Sequence, residues 1–211
     1  MLPFSWDVLR SHFEQVNAVL WPVGIVAVAL ALIVVWWIAK PKLWSGRLIA
    51  LILTIFWAWN GAVYHGLQFA GINFWAPVSA IVFLIQALLF FWTGVVRGRL
   101  TFRFQGDAAS RAGLALMIFA LVLYPLLWWL GGSGLRSIPE FGITPGPTNV
   151  FTLGVLLLAA PRVPIGLSII PLLWCVVWGL VAWFLPVPVD LSLVAAGLVF
   201  AGFAMRRSAE P

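Results

Sequence analysis

The chain has 211 residues, 64% of them hydrophobic and 9% charged, with a mean hydropathy of +1.09. A soluble domain carries about a quarter charged residues, so this composition excludes one. The net charge of +6 does not indicate a nucleic-acid partner, because the basic residues sit between long apolar runs, as in the loops of a membrane protein.

In chain order, the opening MLPFSWDVLRSHFEQ has acids and no basic n-region, so it is not a signal peptide. Residues 5–16 read as an amphipathic helix. Ser5 can cap it, Asp7 suits its first turn, and Leu9, Phe13, Val16 and Leu20 recur at helical spacing. It is expected to lie in the outer interface. Apolar segments follow at Ala18–Ile38, Arg47–Leu67, Phe74–Val96, Ala112–Leu130, Thr148–Ala160, Ile165–Leu185 and Asp190–Ala204. A helix needs roughly 20 apolar residues to cross a ~30 Å hydrocarbon core. The fold class is therefore all-α: an integral membrane helical bundle of about seven spans with a short fifth. It forms a single membrane domain over 1–211, with the interfacial helix at 1–17, the bundle at 18–205 and a cytoplasmic tail at 206–211.

Orientation follows from charge. Lys40, Lys42, Arg47, Arg97, Arg99, Arg103, Arg111, Arg162, Arg206 and Arg207 fall on one side; only Arg10 and Arg136 fall on the other. The basic side is cytoplasmic, which places the N-terminus outside and the C-terminus inside. A bacterial inner membrane is the expected location. Trp21, Trp75, Trp128, Trp129 and Trp183 mark outer ends and Trp36, Trp37, Trp44 and Trp92 inner ends, where amphipathic rings suit the headgroup level. Trp57, Trp59, Trp174 and Trp178 are deeper and expected to pack between helices.

The stretch PEFGITPGPT at 139–148 cannot be regular helix, because its prolines remove donors and its glycines relax the backbone. Helix can begin at Thr148 or Asn149 and ends at Pro161. About twelve residues cover roughly 18 Å, too little for the core. The loop is expected to dip into the outer leaflet and present a half-helix N-terminus to a cavity. The alternative is a surface loop ahead of a tilted or locally thinned span.

The second span carries WAWNGAVYHGLQF. At α-helical spacing Trp57, Asn60, Gly61, Tyr64, His65 and Gln68 share an arc of about 140°. Such a stripe should face the bundle interior or a wet cavity. His65 reads either as a ligand, proton carrier or gate, or as a neutral histidine satisfied by a carbonyl or by Tyr124. Asn60, Gln68 and Gln86 suit interhelical hydrogen bonds. Pro125 and Pro171 should kink their spans. Glu140 can take a proton or a cation, or be a solvated loop charge. Asp190 reads as the cap of the seventh helix. His12 and Glu14 could join His65 and Glu140 around a metal, although the spacing is no motif, so metal and cofactor stay unassigned. Gly197 and Ala201 can seat a neighbouring helix, in the chain or in a homo-oligomer.

HExxH, P-loop, GxGxxG and CxxC motifs are all missing, and the lone Cys175 excludes an internal disulfide. Gly166-Leu167-Ser168 faintly resembles an intramembrane serine-protease motif, but Ser168 falls near the inner face and His65 near the outer. Only one histidine lies inside an expected span, which argues against a two-histidine haem site. An enzyme is not the favoured class.

FWAWNGAVYHGLQFAGIN and EFGITPGPTNVFTLGVLLL, with LPFSWDVLRSHFEQVNAVLWP and RGRLTFRF, resemble the signature segments of a bacterial family of small multi-pass membrane proteins, domain of unknown function 6064. The resemblance covers nearly the whole chain and implies architecture, with no activity to carry over. It strengthens Tyr64 and His65, which correspond to the family's Tyr-His pair. Members often show Cys-Pro where this chain has Gly146-Pro147, which weakens soft-metal binding here.

The expected site is an outward-facing cavity lined by Asn60, Tyr64, His65, Gln68, Tyr124, Thr144, Thr148 and Asn149. It would bind or pass a small solute or ion. The alternative is a non-catalytic subunit or scaffold packed against a membrane partner, and less readily a metal-dependent or redox protein.

Overall fold

A computed structural model describes residues 3–185 and 187–209, without the side chains of 207–209. It is an all-α membrane bundle, with six helices among the described residues long and apolar enough to cross a membrane. The elements are α1 (Trp6–Ala39), α2 (Ser45–Trp59), α3 (Ala76–Phe90), α4 (Ala108–Ile118), α5 (Tyr124–Leu130), α6 (Pro145–Leu157), α7 (Ile165–Phe184) and α8 (Ser192–Ala209). A π-helical segment, Asn60–Gln68, prolongs α2; another, Phe91–Val96, prolongs α3; a third, Phe119–Leu123, joins α4 to α5.

The helix expected at 5–16 is not separate from the first span. With Ser5 accepting from the Val8 amide at 3.4 Å, α1 starts at Trp6 and runs unbroken through Pro22 to Ala39. Its 34 residues span roughly 51 Å, well beyond a ~30 Å core. The excess is its N-terminal part, which buries Leu9, His12, Phe13, Val16 and Asn17. That stripe closes one end of the bundle.

The fifth segment is its centre. Every residue from Phe141 to Ala160 is buried. α6 begins at Pro145, earlier than expected at Thr148, because proline suits a first helical turn. Its 13 residues cover roughly 20 Å, so it stays short of a span. Gly113 of α4 and Gly154 of α6 let these helices cross closely, since a Cβ on either would press on the other's carbonyl oxygen.

Residues 137–144 of the loop before α6 are buried or half-buried as well, so their polar backbone needs partners within the protein. The Asn17 side chain donates to the carbonyls of Arg136 at 2.9 Å and Ile138 at 2.7 Å. The Asn60 side chain donates to the Gly142 carbonyl at 3.2 Å, and the Gly142 amide donates to the Thr148 hydroxyl at 2.9 Å. Gly142 has φ +78°, and a Cβ there would collide with Ala27. Only glycine meets both demands.

Pro171 in α7 leaves the Leu167 carbonyl without its helical donor. The Gln86 side chain supplies one at 2.8 Å, so Gln86 is the interhelical partner the sequence suggests. Gly197 of α8 seats Cys175 and Leu172 of α7, an intrachain use of that small residue.

The basic residues gather at one end. There β1 (Thr101–Phe102) pairs antiparallel with β2 (Ala159–Ala160), tying two basic loops together. Lys40 lies over Trp36, Lys42 over Trp44 and Arg97 over Trp92, with cation-to-ring distances of 4.3–5.2 Å. The α1 extension and the loop before α6 lie at the other end. The tail expected from 206 is helical as far as Ala209; residues 210 and 211 lie outside the described residues.

Candidate functional site

At the end away from the basic loops, two polar groups meet among aromatic rings. The first is Asp190, in the 3-10 turn Pro188–Leu191 ahead of α8. The sequence reads it as the cap of the last helix; in the structure it is 1% exposed and its oxygens accept from three side-chain donors. The Tyr124 hydroxyl donates to its Oδ1 at 2.5 Å, and Trp128 Nε1 donates to the same atom at 3.1 Å. Trp178 Nε1 donates to Oδ2 at 2.7 Å. These partners come from α5 and α7, so one carboxyl ties three elements together. All of them donate, which matches an acceptor-only carboxylate. Trp128 is therefore buried in this network and does not anchor the interface, unlike the exposed Trp21, Trp75, Trp129 and Trp183.

The second group is His12, Tyr64 and His65. The Tyr64 ring lies 5.6 Å from His12 and 5.1 Å from His65. Phe69 packs against all three rings, Phe83 and Trp174 close the far side of His65, and Trp174 stacks on Trp178. Trp178 thus bridges the two groups. Asp190 is also near enough to Tyr64 to act on it electrostatically.

Several buried polar atoms without partners gather in this group. His12 Nε2, the Tyr64 hydroxyl and both ring nitrogens of His65 are buried without a hydrogen-bond partner among the described residues. A buried polar atom left unpaired costs about 1–3 kcal/mol, and each such group in a folded protein calls for an explanation. Tyr124 does not satisfy His65, because its hydroxyl is committed to Asp190. His12 borders a pocket of about 270 Å³ with Asp7, Ser11, Gln15 and Ile72. Of the three residues, His12 lines that pocket, and Tyr64 and His65 lie behind it.

The residues expected to line one cavity divide among several places. Tyr64 and His65 lie together, and Tyr124 belongs to Asp190. Asn60, Thr144 and Thr148 hold the buried loop: Thr144 donates to the Glu140 carbonyl at 2.9 Å and Thr148 to the Thr144 carbonyl at 2.7 Å. The Asn149 side chain donates to the Pro171 carbonyl and the Cys175 sulfur, both at 3.1 Å. Gln68 is exposed. The π-helix explains this, because i→i+5 bonding widens the turn. Asn60, Tyr64, His65 and Phe69 then share the buried face, and Gln68 turns out.

The sequence groups His12 with His65 only as possible metal ligands and does not place Asp190 here. The signal for His12 was present: it falls beside Leu9, Phe13 and Val16 on the apolar stripe of its helix. His65 joins it through Tyr64, but the two proposed carboxylates do not. Glu14 pairs with Arg10 at 3.3 Å, and Glu140 lies in a separate crevice. Among the described residues no three histidine, cysteine or acidic side chains form a metal-holding group.

A family model described as a family of unknown function, DUF6064, matches residues 6–209 of the chain. No curated protein and no solved structure matches it.

Proposed function

The chain belongs to that family, which lends it no activity, and we propose that it binds and passes a small solute, best a cation, through an outward-facing site built on His12, Tyr64 and His65. The observation that carries this reading is the set of buried, unpartnered imidazole and phenol atoms gathered in one aromatic cluster. Imidazole nitrogen is a cation ligand, and a phenol oxygen can add a lone pair beside it. The surrounding rings pack at centroid separations of 4.7–5.8 Å around His65. Packing that close favours an ion over a large organic ligand.

Orientation supports the outward direction. The site lies opposite the basic loops, and basic loops favour the cytoplasm. A bacterial inner membrane with the N-terminus outside is the corresponding placement. Tags on both termini test it, and a cytoplasmic N-terminus overturns it.

The functional test is uptake by proteoliposomes of single cations, in the wild type beside His65→Phe. Uptake lost in the variant, with the fold intact, supports the reading. Equal uptake by both, or none by either, together with a stoichiometric membrane protein co-purifying, favours a scaffold subunit instead.

A further inference from the structure

A second site lies on the flank of the bundle. Glu140, in the loop before α6, is half-buried at the head of a crevice of about 450 Å³ between α1 and the α4–α5 bend. Apart from the carboxyl, its walls are largely apolar, with Ile25 and Val28 on one side and Leu121 and Pro125 on the other. Gly24 makes room for the carboxyl: a Cβ there would collide with Oε2. No lysine or arginine borders the crevice, and Arg136, the nearest basic residue in sequence, is exposed and forms no ion pair with Glu140. Burial pushes the Glu140 carboxyl up from its usual range. An ammonium beside it would act in the opposite direction.

The crevice opens sideways, along the exposed Ile25 and Val28 of a membrane-spanning helix. Its rim carries the exposed Trp21, a residue that favours the headgroup level. A ligand entering there comes from the bilayer. From this placement we infer that the crevice is a binding site for a membrane lipid with a primary-ammonium headgroup, the ammonium on Glu140 and an acyl chain along Ile25, Val28 and Leu121. A primary ammonium can donate hydrogen bonds to the carboxylate, which a trimethylated one cannot. A headgroup with net negative charge would be repelled. This site is independent of the His12–Tyr64–His65 group.

The test is native mass spectrometry of the detergent-purified protein after equilibration with equal amounts of phosphatidylethanolamine, phosphatidylcholine and phosphatidylglycerol. The wild type should retain the ethanolamine lipid several-fold over the other two. Glu140→Gln, which keeps the shape and removes the charge, should abolish the preference. Val28→Trp, made from the lipid side, should fill the crevice and lower retention of all three. Equal retention by the wild type, or an unchanged preference in Glu140→Gln, overturns the inference. Unchanged retention in Val28→Trp moves the lipid out of the crevice and overturns it too.

Discussion

Tyr124 donates a 2.5 Å hydrogen bond to Asp190 across 66 residues of sequence, from the start of α5 to the turn before α8. Gly146, near the start of α6, lies against the same hydroxyl, where a Cβ would come within 2.6 Å of it. One contact thus sets three elements relative to each other at the end of the bundle that carries the candidate site.

Removing Asp190 should therefore be costly. Asp190→Ala strands the Tyr124, Trp128 and Trp178 donors, and each buried unpaired group costs about 1–3 kcal/mol. Asp190→Asn keeps some acceptors and should cost less than the alanine variant. Thermal unfolding in detergent checks the order, which should be wild type, asparagine, alanine from most to least stable.

Gln86 and Pro171 make a reciprocal prediction. Gln86→Leu leaves the Leu167 carbonyl unpaired and should destabilise by about 1–3 kcal/mol. Pro171→Ala restores a backbone donor to that carbonyl, so in the double variant the loss from Gln86→Leu should shrink. A double-mutant cycle measures the coupling. Additive losses would disprove the compensation.

Gly142→Ala should destabilise by more than about 1 kcal/mol, because φ is +78° and the new methyl meets Ala27. Gly202→Ala is the control, since nothing lies within 4 Å of its Cβ position. It sits inside α8, where alanine is favoured over glycine by up to about 1 kcal/mol. Parallel unfolding curves should separate the two in opposite directions.

His65 should behave unlike a structural histidine. Its ring nitrogens make no hydrogen bond among the described residues, and its neighbours are aromatic. His65→Phe should therefore keep or raise the unfolding temperature while removing cation binding. A large loss of stability would mean the imidazole is held by partners after all.

How legible the sequence was depends on how far apart the partners lie. The spans, the short fifth segment and the polar face of the second span could be read because each is a local pattern of composition or spacing. The inward position of Asn60, Tyr64 and His65 survives the change from α- to π-helix, whereas that of Gln68 does not, because eight residues accumulate the difference in turn width. His12 could be linked to His65 only loosely, because a span boundary drawn at Ala18 put it on a separate surface helix, although α1 crosses that boundary without a break. Asp190 resembled a helix cap because it opens the last apolar segment; its real partners are Tyr124, Trp128 and Trp178, which only folding brings near.

Trp174 and Trp178 lie beside the proposed cation site, so their fluorescence can report on it. The most direct measurement is a titration of the purified protein with sodium, potassium, manganese, zinc and cuprous ions, wild type beside His65→Phe. The account predicts a saturable change with at least one of these ions in the wild type and none in the variant. A wild type unresponsive to all five, or the same response in His65→Phe, would contradict it.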